Sequence, residues 1–183
     1  MDPTVDTAPP PRTSDDDRRI TPGRVAATVV VIVLVAMWVY AFSGLARKDP
    51  PDLLDDDRFA AEAESICAAT RDDLAELPAA QDARSPEERA VTVAQANVLL
   101  EAMVDDLAEV APTDGGRDER ITALWIDDWR IHLGDRERYV ADLEAGSTEP
   151  AQFTGRGGRS ITATIDNFAE VNAMESCATP LDL

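Results

Sequence analysis

Apolar positions along this chain fall into one unbroken run followed by four periodic stretches. Residues 25–45, VAATVVVIVLVAMWVYAFSGL, carry no charge over 21 positions. Wound as a helix, that run is roughly 30 Å long, about the thickness of a bilayer's hydrocarbon core. Trp38 and Tyr40 fall near its C-terminal end, where aromatic rings favour the membrane interface. The pattern predicts a transmembrane helix over 25–45.

The four periodic stretches come after a short linker, 46–56, stiffened by Pro50-Pro51. The first, about 57–77, places Phe59, Ala63, Ile66, Thr70, Leu74 and Leu77 at helical spacing, with Pro78 beyond its end. The second opens on Ser85-Pro86-Glu87-Glu88: a capping serine, proline in the first turn and glutamate three residues after the cap. Its apolar face runs through Val93, Ala96, Leu100, Val104, Leu107 and Ala111 to Pro112. The third, about 116–145, follows Asp114-Gly115-Gly116 and ends at Gly146. The fourth, about 159–176, shows Ile161, Ile165, Phe168 and Asn172 on one face. No stretch alternates with β-branched enrichment, so no strand is expected. The fold class predicted is all-α: a transmembrane helix, then an up-down-up-down four-helix bundle over 57–183.

Residues 1–24 have no periodicity. Pro9-Pro10-Pro11 and Asp15-Asp16-Asp17 cannot build a core, and the segment is expected to be a disordered cytoplasmic tail. Arg12, Arg18, Arg19 and Arg24 precede the apolar run, against Arg47, Lys48 and, further on, Arg58 after it, which favours the N-terminus inside. Gly44-Leu45-Ala46 offers small residues at the spacing of a signal-peptidase site. The apolar run is longer than a usual signal h-region and the preceding tail is long and acid-bearing, so an uncleaved single-pass anchor is the expectation.

Charge sharpens the division. Of the chain's 36 acids and 17 bases, 31 acids and 11 bases lie in residues 49–183, a net charge of −20 for that part. Nucleic-acid binding requires basic side chains to displace counterions, so nucleic acid is excluded as a partner. The chain has 2 cysteines, Cys67 and Cys177. A sparse, even pair in a domain outside the cytoplasm predicts one disulfide. The bundle layout agrees, because it returns the end of the fourth helix to the membrane-proximal end where the first begins.

The densest chemistry is on the third helix. Positions 121, 125, 128, 132, 135, 139 and 143 share a face and read Ile, Trp, Asp, His, Asp, Tyr, Leu. Asp128, His132 and Asp135 therefore form a polar row inside an apolar stripe. Such a row suits a buried polar network with Arg136 or Arg130 and Asn172, fixing the register of the third and fourth helices. It also suits a divalent cation, with Asn172 and Glu175 facing it. The paired Glu-x-x-His motifs of di-iron bundles are missing, the chain has 1 histidine, and no Ser/His/Asp set stands out. Trp125 and Tyr139 read as core, with Trp129 offset from their row.

The loop 147–158, STEPAQFTGRGG, leads into Arg159 and lacks the Gly-Lys-Ser/Thr ending of a phosphate loop. It reads as a mobile inter-helix connection at the membrane-distal end of the bundle. Phe153, a large apolar residue beside Arg156 and Arg159, marks it as a partner-binding tip.

The spacing of Cys67, Asp128-Trp129, Asp135-Arg136, Tyr139, Phe168, Asn172 and Cys177 resembles that of uncharacterised membrane-anchored proteins of actinobacteria, over roughly residues 25–183. The resemblance implies an envelope location and a helical outer domain, and carries no activity. Together these readings predict a non-catalytic, cofactor-free envelope protein in the cell membrane, whose acidic extracytoplasmic domain binds another envelope or membrane protein. The alternative is a divalent-cation-binding or sensing module built on Asp128, His132 and Asp135.

Overall fold

The computed structural model describes residues 22–43 and 50–181. They belong to two compact units, one within 1–48 and one within 49–183.

The first unit holds one helix, α1 (Pro22–Phe42). It begins three residues before the apolar run, because proline is suited to a first helical turn. Its apolar side chains are exposed along its whole length, and the Trp38 ring stacks on Phe42 with centroids 5.3 Å apart. Among the described residues α1 is the one helix long and apolar enough to cross a membrane; a signal sequence has the same length and composition. The expected disordered tail lies outside the described residues up to position 21, and its last three positions belong to α1. Gly44-Leu45-Ala46 also lies outside the described residues.

The second unit is mostly helical: α2 (Asp57–Ala75), α3 (Pro86–Val110), α4 (Arg117–Glu144) and α5 (Ile161–Val171), with single 3-10 turns at Ala80–Asp82 and Glu175–Cys177. Local chemistry sets the ends. Asp56 caps α2 by accepting the Arg58 amide at 3.0 Å. The helix stops at Ala75 rather than 77, because Leu77 precedes Pro78 and is disfavoured in the helical region. Ser85 Oγ accepts the Glu88 amide at 3.2 Å while Glu88 Oε2 accepts the Arg84 amide at 2.9 Å, a reciprocal cap on α3. At the end of α4, Gly146 takes φ +81° and the Ser147 amide donates back to Asp142 O at 2.9 Å, the left-handed closure that glycine permits.

Two features depart from the sequence expectation. The first is a small antiparallel hairpin, β1 (Gly155–Arg156) with β2 (Arg159–Ser160). Gly157 and Gly158 join the strands with φ of +58° and +84°, as a two-residue turn between right-twisted strands requires. Strands of 2 residues are too short to show any alternation. The second is the end of α5. The expected helix 159–176 runs only from Ile161 to Val171. Ala173 adopts φ +55°, its amide donates to Glu170 O at 3.2 Å and the Met174 amide to Ala169 O at 2.8 Å. This is the closure that ends α4, made here without glycine.

That stop redirects the chain. Met174 and Cys177 turn into the core, fully buried, and Cys177 is disulfide-bonded to Cys67 with Cα atoms 5.1 Å apart. The predicted pairing is therefore present, with Cys177 on the 3-10 turn rather than on the helix. α3 packs against α4 and α2, α5 packs against α4, and α2 meets the turn carrying Cys177.

Trp125 is the centre of the core. Its ring stacks on Phe168 at 5.0 Å, meets Phe59 and Trp129 edge-on at 6.1 and 6.5 Å, and its Nε1 donates to Ile165 O at 3.2 Å. An aromatic side chain of this size removes about 200 Å² from water, worth about 5 kcal/mol. Trp129, expected to be offset, is buried as well, because α4 lies between α3 and α5 and buries more than one row. A second, smaller cluster joins Ala80, Ala90 and Val93 to Tyr139 and Leu143.

Residues 51–56, expected as linker, are fixed on this unit. Arg117 donates Nη1 to Leu53 O and Nη2 to Pro51 O, each at 2.6 Å. The Asp118 carboxylate accepts the Asp55 and Asp56 amides at 3.0 Å. Asn172 Oδ1 accepts the Leu54 amide at 2.8 Å, and its Nδ2 donates to Asp52 O at 2.9 Å.

Candidate functional site

The polar row of α4 is buried: Asp128, His132, Asp135 and Arg136 all lie in the interior. What faces Asp128, His132 and Asp135 is the segment between α4 and α5. The Asp128 carboxylate receives Arg156 Nη1 in a close ion pair, and Arg156 also stands 3.7 Å from Asp127. The His132 ring lies 5.4 Å from the ring of Phe153 and 5.7 Å from that of Trp129. Asp135 accepts the Thr154 amide at 2.6 Å and the Thr154 hydroxyl at 2.8 Å, and is also paired with Arg138. Each member of the row thus holds one position of the 147–158 segment. The Ile161 amide closes the segment by donating to Thr154 O at 2.8 Å.

The electrostatics follow from burial. Asp128 has its carboxyl pushed above the usual carboxylate range by desolvation, opposed by the hydrogen bond and charge of Arg156 and aided slightly by Asp127 and Asp52. A carboxylate accepting a backbone amide and a hydroxyl, as Asp135 does, is held in one orientation by charge-assisted bonds.

Arg156 pairs with Asp128, and Arg138 with Asp135. Arg136, fully buried, donates Nε to Asn97 Oδ1 of α3 at 2.7 Å. Arg130 is exposed. Asn172 lies apart from the row and secures the entry segment, and Glu175 points to solvent on the 3-10 turn. Among the described residues, no three His, Cys, Asp or Glu side chains are grouped so as to hold a metal ion.

Phe153 is 38 % exposed, and Arg159 is exposed on β2. Beside the hairpin runs an open groove of roughly 280 Å³, lined by Leu124, Trp125, Asp128, Arg156, Thr164 and Phe168 among others. Leu124, at 55 % exposed, forms its outer wall. The site residues that the sequence pattern passes over are Thr154, Arg138, Asn97 and the Arg117–Asp118 pair. Asp135 and Arg138 stand at i, i+3, so that ion pair carried a local signal. The others meet partners 19 to 66 residues away, which no local spacing encodes.

No protein-family model, no curated protein and no solved structure matches this chain.

Proposed function

We propose that this chain is a non-catalytic, single-pass membrane protein of the cell envelope. Its 49–183 unit, an up-down-up-down bundle outside the cytoplasm, binds another envelope or membrane protein through the face formed by the 147–158 segment and the adjoining groove. The observation that carries this reading is the pairing of exposed apolar side chains with a fixed backbone. Leu124 and Phe153 are exposed next to a segment that Asp128, His132 and Asp135 seat from below. Apolar anchors on a pre-ordered surface are what partner binding favours, because little conformational entropy is lost on association. The acidic remainder of the unit, net −20, favours a partner with a basic rim.

Three observations support the placement. α1 has the length and composition of a membrane span. The Cys67–Cys177 disulfide belongs to oxidising compartments. α3 lies against both α2 and α4, α5 lies on α4, and α2 meets the 3-10 turn that follows α5, which supports a bundle.

The test is photo-crosslinking from a benzophenone amino acid at position 153 of the full chain in native membranes. The proposal expects one discrete crosslinked partner, lost when Leu124 is replaced by Asp. Recovery of the protein alone, from crosslinked and gently solubilised membranes alike, removes its support.

A further inference from the structure

A second groove, of roughly 310 Å³, lies between the start of α3 and the end of α4. It goes beyond the partner-binding reading: Ser147 and Thr148 begin the 147–158 segment, but Leu124, Phe153 and the α4 row do not line this groove. Its polar lining consists of Arg84, Ser85, Arg89, Tyr139, Ser147 and Thr148, with no carboxylate. In a unit with 31 acids and 11 bases, a groove with two arginines and no acid is an inversion of the surrounding charge.

The lining presents donors. Arg89 uses Nε on Ala80 O at 3.1 Å, which leaves its two terminal nitrogens for the groove. The Arg84 side chain makes no hydrogen bond or ion pair with a described residue. Glu88, one turn along α3, is turned onto the Arg84 amide at 2.9 Å. Ser147 Oγ accepts from the Glu149 amide at 3.2 Å, so its hydroxyl proton remains available to donate, whereas Ser85 accepts from the Glu88 amide and gives its own proton to the Glu87 carboxylate.

Tyr139 supplies the independent observation. It is 5 % exposed and lines this groove. Its hydroxyl makes no hydrogen bond to any described residue. Its oxygen is not one of the enclosed unpartnered atoms, so it is open to a ligand atom while the ring is held in the core. Here the position is left for a ligand atom at the mouth of a positively charged recess.

We propose that this groove binds a phosphoryl group. Two guanidinium forks and the hydroxyls of Tyr139, Ser147 and Thr148 exceed what the two oxygens of a carboxylate accept, and suit the three or four oxygens of a tetrahedral phosphate. The start of α3 adds the favourable end of its dipole. The same chemistry is offered by a free phosphate monoester and by the phosphodiester of a lipid headgroup or wall polymer.

Thermal unfolding of the full chain in detergent micelles, at fixed ionic strength in chloride, tests this. Orthophosphate, glycerophosphoglycerol and acetate are titrated separately against wild type, Arg84→Gln, Tyr139→Phe and the exposed-arginine control Arg130→Gln. The expected result is a saturable rise in Tm with one of the two phosphates in the millimolar range. Arg84→Gln should weaken it at least tenfold and Tyr139→Phe severalfold, with Arg130→Gln matching wild type. A response to orthophosphate identifies the monoester as the source, and one to glycerophosphoglycerol the diester. The proposal is overturned by acetate binding as tightly as either phosphate, by no saturable response to both, or by an undiminished response in Arg84→Gln and Tyr139→Phe.

Discussion

Asp135, buried on α4, accepts both the amide and the hydroxyl of Thr154, at 2.6 and 2.8 Å. One side chain thereby fixes the backbone of a segment that its three glycines would otherwise leave loose. Hydrogen bonds to a charged group are worth about 1.5–3 kcal/mol each way of counting. We expect Asp135→Ala to lower the unfolding free energy by about 2–4 kcal/mol, since Arg138 and the Thr154 amide lose their acceptor together. Urea denaturation of the two proteins checks this, and a loss under 0.5 kcal/mol would show that the pairing is incidental.

The disulfide closes a span of 110 residues, and an unfolded chain so tied loses on the order of 4–5 kcal/mol of loop entropy in the chain-entropy model. Replacing Cys67 and Cys177 together with Ala should destabilise the unit by about 2–5 kcal/mol. Two thiols titratable in the unreduced, denatured wild-type protein would contradict the bridge itself.

Ala173 holds a left-handed conformation, φ +55°, that costs a residue with a Cβ about 1 kcal/mol. Its side chain is exposed, so glycine there sacrifices little packing. Ala173→Gly should raise stability by about 0.5 kcal/mol, after the added freedom of the unfolded chain is subtracted. A destabilised variant would mean that the Ala173 conformation is not the native one.

This position also shows what the sequence conceals. The start of α3 is legible because its signals sit within four residues, Ser85 to Glu88. The end of α4 is legible for the same reason, at Gly146. The end of α5 is not, because Ala173 carries no mark of a helix stop and Ile161, Ile165, Phe168 and Asn172 continue a helical period through it. The polar row was legible as a row: Asp128, His132 and Asp135 do share a buried face. Its purpose was not, because Arg156, Phe153 and Thr154 come from a stretch whose composition reads as a mobile loop. The pairing of Cys67 with Cys177 was recoverable because only 2 cysteines exist and the helix pattern brings their segments together.

Asp128 gives a pH signature. Burial raises its folded-state pKa above the unfolded value, so its protonated form is favoured by folding. The associated stability is fully present below the unfolded carboxylate pKa and is lost as pH rises through the raised folded one. Asp128→Asn removes this dependence. Relative to wild type, the variant should therefore gain stability as pH increases across that window. Denaturant midpoints from pH 3 to pH 7 give the comparison, and a difference that moves in the opposite direction would mean that Arg156 outweighs burial.

The central claim is that the α4 row seats the 147–158 segment as a fixed surface. Amide hydrogen exchange at Thr154 measures that seating directly, because its N–H bonds to the Asp135 carboxylate. Wild type should show strong protection at Thr154, and Asp135→Ala should reduce it by roughly 10- to 100-fold while amides in the middle of α3 keep theirs after correction for global stability. Exchange of the wild-type Thr154 amide at the rate of an unstructured peptide would contradict the account.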